Sequence, residues 1–121
     1  MITEIRCDCA LKGKDFSPRL LSIPSEIRIV KDQKFGDTIK VGRFEGSMSE
    51  EGILIIDGNV DDVLVFMEKL INSEHMECIT ELSINLTVCY KEQCNFELTN
   101  DYLCRFSSMG VPLGITCFEA Y

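Results

Sequence analysis

Residues 52 to 71 constrain the fold of this chain more than any other stretch. Ile53 to Ile56 is a continuous apolar run bounded by Gly52 and by Asp57-Gly58, a length that suits a short buried strand and not a helix. Directly after it, Asn59 stands where a helix cap belongs, and Asp62 three residues on is placed like the acidic partner of a capping box. Val60, Val63, Leu64, Met67, Leu70 and Ile71 then recur at helical spacing. A sheet layer and a helix layer are therefore both required. The apolar spacing carries this helix, with a break near Asn72-Ser73, on through Cys78, Ile79 and Leu82.

Alternation marks the other strands. Ile5, Cys7, Cys9 and Leu11 fall on one side of Glu4 to Lys12, with Arg6 and Asp8 on the other. Ser17-Pro18 opens a short helix that Pro24 stops, and Glu26 to Lys31 returns as a strand through Ile27 and Ile29. Gly36-Asp37 marks a turn, Ile39 to Phe44 reads as a strand, and Gly46 to Gly52 as an acidic loop. Ile84, Leu86, Val88 and Tyr90 alternate again, as do Cys94, Phe96 and Leu98. Keeping both sets on one face demands a hairpin that pairs Tyr90 with Cys94 and Val88 with Phe96, and puts Cys89 opposite Asn95. Thr99 caps a last helix that Gly110 ends, and Leu113 to Phe118 forms the final strand. The expected architecture is a single α+β domain over residues 1 to 121: a largely antiparallel sheet with helices packed on one face, a two-layer sandwich. At 121 residues the chain buries a core without disulfides or a structural metal.

The formal net charge of -8 argues against nucleic acid as a partner, because phosphate binding needs a basic surface. Its distribution is uneven. Residues 44 to 82 hold ten acids and one base, whereas residues 28 to 43 hold five bases and two acids. Glu68, Glu74, Glu77 and Glu81 fit the solvated face of a helix. Glu45, Glu50, Glu51, Asp57, Asp61 and Asp62 cluster instead around a loop and a helix start, and they are the candidate partner-binding residues. Asp61 and Asp62 also suit a first helical turn, where they face the positive end of the helix dipole.

The residues give no catalytic or cofactor-binding pattern. The seven cysteines include no Cys-x-x-Cys, and Cys7-x-Cys9, Cys89-x4-Cys94, Cys104 and Cys117 match no zinc spacing. Cys7, Cys9, Cys94 and Cys117 fall on predicted core faces, where free cysteine acts as a small hydrophobe, so reduced thiols are expected. His75, the one histidine, stands three residues before Cys78, within reach on an intact helix but with no third group to orient it. The glycines form neither a phosphate loop nor a dinucleotide fingerprint. No enzyme activity, metal or cofactor is expected. The absence of a long apolar run argues against a membrane partner, and the lack of a signal-peptide core at the N-terminus predicts a cytoplasmic protein.

Three stretches together resemble a family of small bacterial proteins catalogued as domain of unknown function 4279. They are Phe16-Ser17-Pro18 with Leu20, Leu21 and Ile23, leading to Lys34-Phe35-Gly36-Asp37; Gly52-Ile53-Leu54-Ile55; and Asn95 to Thr99 through Leu103, Phe106, Met109-Gly110, Leu113, Ile115 and Phe118. The resemblance implies an α+β fold and supplies no catalytic residues. Small acidic bacterial proteins of this kind suggest a non-enzymatic immunity (antitoxin-like) protein, whose acidic surface meets a basic toxin domain such as a nuclease. The competing expectation is a small-ligand-binding or regulatory domain with a pocket between sheet and helices.

Overall fold

The computed structural model describes residues 1–40 and 42–120. Its frame is one five-stranded sheet: β1 (Ile2–Gly13), β2 (Arg28–Gln33), β3 (Gly52–Gly58), β4 (Glu81–Tyr90) and β5 (Leu113–Glu119), in the spatial order β2-β3-β1-β4-β5. Only the β4–β5 pair is parallel; the other three are antiparallel. The two helices, α1 (Val60–Ile71) and α2 (Asn100–Ser107), cover one face. The expected α+β architecture is thus present.

Period-2 patterning determines which face each residue takes. Cys7, Cys9 and Leu11 of β1 register with Gly58, Ile56 and Leu54 of β3 and with Leu86, Ile84 and Leu82 of β4, so one continuous apolar layer faces the helices. Val63, Leu64, Phe66, Met67 and Leu70 of α1 close over it, and Phe106 and Met109 join from α2 and the turn after it. Asn59 caps the helix as expected, its Oδ1 accepting from the Asp62 backbone N–H at 2.9 Å, while the return bond to Asp62 Oδ2 at 2.6 Å is donated by the Asn59 side-chain amide where a capping box would use the backbone N–H. Thr99 Oγ1 likewise accepts from the Tyr102 N–H. Gly110 adopts φ 71°, the left-handed turn that ends the second helix.

Five expectations are corrected. The main helix stops at Ile71, because the Asn72 amide donates to the Glu68 carbonyl and the Ser73 hydroxyl to the Leu70 carbonyl, satisfying the last turn from the side chains. A 3-10 turn at Glu74–Cys78 follows, and Leu82 belongs to a strand. The hairpin of Tyr90 with Cys94 and of Val88 with Phe96 does not form, nor does Cys89 face Asn95. Both sides of β4 are already occupied, by β1 on one and β5 on the other, so residues 93 to 99 have no edge to join. The expected strand at Ile39 to Phe44 is replaced by a chain of turns with one isolated bridge, Thr38 to Met48; Val41 lies outside the described residues. Cys117 registers with Val88 and so takes the helix-facing side, yet it is exposed, because β5 is an edge strand beyond the cover of the helices. β2 starts two residues later than its apolar pattern suggested, with Ile27 buried just before it.

One end of the sheet is closed by a close backbone approach. Gly13 pairs with Gly52 across β1 and β3. A Cβ on Gly13 would lie 1.9 Å from the Cys78 carbonyl oxygen, and one on Gly52 1.8 Å from that of Phe16. Two incoming loops rest directly on the two glycines, which no other residue would allow.

Candidate interaction surface

Between β2 and β3 the chain leaves this closed end of the sheet as an excursion over residues 34 to 51. Its three glycines at positive φ, Gly36, Gly42 and Gly46, explain why it turns and does not continue as a strand. The excursion is nevertheless tied together. The Gly36 N–H donates to the Ser49 carbonyl at 2.8 Å and the Ser49 N–H to that of Asp37 at 2.6 Å; nearer the tip, the Ile39 N–H donates to Ser47 and the Gly46 N–H to Ile39, each at 2.8 Å. At its base the Arg19 guanidinium donates to Asp37 at 2.6 Å, and the Lys34 N–H donates to the same carboxylate. The Arg19 hydrogen bond, helped by that of Lys34, holds the Asp37 carboxyl below its ordinary pKa. Ser49 is buried and its hydroxyl donates to the Glu51 carbonyl.

This tied segment presents large apolar side chains to solvent. Phe35, Phe44 and Met48 are 57%, 62% and 65% exposed, and the Arg43 guanidinium carbon lies 5.6 Å from the centre of the Phe44 ring. Beneath it a hollow of about 620 Å³ opens, lined among others by Lys31, Gln33, Phe44, Met48, Glu50, Glu51 and Ile53. The sequence names Phe35 only within the family resemblance and Phe44 only as the end of an expected strand, and neither, nor Met48, as part of a surface. In the strand expected over Ile39 to Phe44, alternation puts Phe44 on the side of Lys40, opposite Ile39, so its exposure agrees with that parity although the strand itself is absent.

The six candidate acids divide between two places. Glu45 lies near the tip of the excursion, and Glu50 and Glu51 at the foot where it returns to β3. Asp57 is at the opposite end of β3, about 20 Å away at the rise of a strand, and Asp61 and Asp62 follow in the first turn of α1. The distant group is engaged. Arg6 and Arg28 both reach the half-buried Asp57 carboxylate at 3.1 Å, the Tyr102 hydroxyl donates to Asp61 at 2.6 Å, and Asp62 serves the cap. The Asp61 hydrogen bond also raises the Tyr102 pKa. Glu68 is engaged as well, by Arg105 across the helix pair. Among the described residues, no ion pair reaches Glu45, Glu50 or Glu51.

More acids join the near group. Lys12 of β1 registers with both Ile53 and Glu81, and Cys78 rests against Gly13, so Glu74, Glu77 and Glu81 lie at the same end of the sheet as Glu50 and Glu51. Arg6 and Arg28 could not be assigned to Asp57 from sequence, since nothing local indicates that residues 6, 28 and 57 are neighbours across three strands.

A second concavity, also about 620 Å³, runs between the outer side of α1 and the 22–26 segment, with Ser22, Glu26, Asp62, Phe66, Lys69 and His75 in its wall. His75 is half-buried there, and Cys78 is exposed on the other side of the turn, with no hydrogen bond between them among the described residues. No three described His, Cys, Asp or Glu side chains gather closely enough to hold a metal ion, and no described helix is long and apolar enough to cross a membrane. All seven cysteines are free thiols. Searches with protein-family models, against curated proteins and against solved structures found no match, so any functional reading rests on the residues of this chain.

Proposed function

We propose that this chain, a relative of the domain 4279 proteins, is a cytoplasmic, non-enzymatic protein-binding module that meets a basic partner through the 34–51 excursion and the acidic end of the sheet around it. The observation that carries the reading is the exposure of Phe35, Phe44 and Met48 on a hydrogen-bonded segment that also bears Glu45, Glu50 and Glu51, which no ion pair engages among the described residues, with Lys31 and Arg43 in the same hollow. Aromatic, methionine and arginine side chains are the types enriched in interface centres, and a charged rim speeds association and discriminates among partners. An immunity protein that covers a basic toxin domain, such as a nuclease, fits this chemistry.

The test is protection from a toxin encoded beside the gene, together with binding of that toxin by the purified chain. Glu50→Lys with Glu51→Lys should slow association and reduce its dependence on salt, and Phe44→Ala should speed dissociation. Binding indifferent to salt and to all three substitutions would refute the surface. A neighbour that is no toxin, or toxicity that the chain does not relieve, would refute the immunity role. The groove beside α1 supports the competing reading, a small-ligand or regulatory domain, since its volume is that of a ligand site. A metabolite that copurifies with the chain and is lost on Lys69→Ala would favour it.

A further inference from the structure

The two edges of the sheet are built differently. At β2 the edge is blunted: a register shift falls between Ile29 and Lys31, charges stand at Arg28, Lys31 and Asp32, and Arg19 with the 34–40 segment leans against it. Such features are how monomeric proteins prevent strand addition. β5 has none of them. Its seven residues pair with β4 in unbroken register, it contains no proline or lysine, and its single charge is the terminal Glu119. Residues 114 to 119 are all exposed, with Ile115 and Phe118 about half open to solvent on opposite faces. Among the described residues, the row of backbone N–H and C=O groups on its outer side therefore has no strand to pair with.

We propose that β5 pairs antiparallel, edge to edge, with β5 of a second copy of this chain, making one ten-stranded sheet across a twofold axis. The sequence of the strand is complementary to itself in the register centred on Thr116. Thr116 meets Thr116, Ile115 meets Cys117 on the helix side, and Gly114 meets Phe118 on the open side, each of the last two pairs occurring twice. Facing threonines and facing aliphatic or sulfur side chains are favourable cross-strand pairs. The Gly114–Phe118 pair lays a ring over a glycine, a known remedy for a glycine at a sheet edge. A Cβ at Gly114 would lie 2.7 Å from Asn85 Oδ1 of the neighbouring strand, so a larger residue there would displace the Asn85 side chain. A second copy is favoured over a charged partner segment because the strand offers almost no charge to recognise. The excursion lies beside β2, at the far edge of the sheet, so the dimer leaves both partner-binding surfaces free.

Sedimentation equilibrium of the purified chain from about 1 µM to about 1 mM tests this. A monomer–dimer equilibrium is expected, tightened by salt because each copy carries a net charge of -8 that repels the other. Ile115→Lys and Phe118→Lys, each at an exposed position, should weaken it by about tenfold or more, since the twofold doubles each change. Hydrogen exchange of the unaltered protein provides the check that needs no variant: amides of residues 113 to 119 should gain protection with concentration. A chain that stays monomeric throughout, a dimer unmoved by both lysines, or concentration-dependent protection confined to another segment would overturn the proposal.

Discussion

Gly52→Ala is the substitution whose cost the structure determines most directly. The added Cβ would stand 1.8 Å from the Phe16 carbonyl oxygen and 2.7 Å from its carbon, where ordinary contact begins near 3.4 Å. One of the two backbones has to move by about 1.5 Å, and neither is free to do so. The Phe16 side chain is buried and its N–H donates to the Gly13 carbonyl at 3.2 Å. Gly52 is held in register with Gly13, which itself lies against Cys78. Overpacking that cannot relax costs up to about 3 kcal/mol. In a domain of this size that lowers Tm by roughly 10 °C. Gly46→Ala is the control: it adds the same methyl group with nothing within 4 Å, but at φ 87°, so its cost is the left-handed backbone alone, about 1 kcal/mol. Urea unfolding of the three proteins, compared at equal m-value, separates the two causes. A Gly52→Ala protein as stable as Gly46→Ala would show that the loop at Phe16 does not rest on β3. The excursion's return strand would then be placed incorrectly, and with it the foot of the proposed surface.

Two further outcomes follow from burial and charge. In the native protein, iodoacetamide should modify Cys78, Cys104 and Cys117 fastest, and Cys94 more slowly, because burial and the hydrogen bond with Cys117 raise its pKa; Cys7 and Cys9 should react only on unfolding. Native labelling of Cys7 at the rate of Cys104 would contradict the core. Asp37, whose pKa is depressed by Arg19, contributes to the excursion above the ordinary aspartate value of about 3.9, and that contribution is lost as pH falls through its lower folded value. Amide exchange at Gly36 and Ser49 should therefore quicken in acid relative to the sheet, and Arg19→Gln should move the onset of that change to higher pH; an unchanged onset would refute the clamp.

What was legible in the sequence was what a single element records about itself. The alternation in β1 and β4, the helix cap at Asn59 and the glycine at 110 are local signals, and each element formed where its signal lay. The errors arose where the decision belonged to a neighbour. Cys94, Phe96 and Leu98 alternate as a strand does, but a strand also needs a partner edge, and β5, some twenty residues later, takes the one that β4 had left. Parallel pairing of β4 with β5 through α2 cannot be distinguished from a hairpin by periodicity, because both put the same side chains inward. The turn at Gly36-Asp37 and the loop from Gly46 are legible, and positive φ stands at both glycines; only Gly42, inside the stretch from Ile39 to Phe44 that reads as a strand, is outweighed by its apolar neighbours.

The same reasoning changes what the acidic middle of the chain means. Ten acids against one base over residues 44 to 82 suggest one repulsive surface, but the fold sends the chain across the sheet twice in that interval. It leaves Asp57, Asp61, Asp62 and Glu68 beside Arg6, Arg28, Tyr102 and Arg105, side chains drawn from both ends of the sequence. Those four acids are part of the scaffold, and reversing them would disturb stability before it tested recognition. Glu50 and Glu51, which no ion pair engages among the described residues, are at the other end, where they line one hollow with the exposed Phe44 and Met48. Charge alone would give a fast but weak encounter. Apolar anchors of that size, once buried, slow its dissociation, so the two kinds of residue have to be tested separately: Glu50 and Glu51 through the association rate, Phe44 through the dissociation rate.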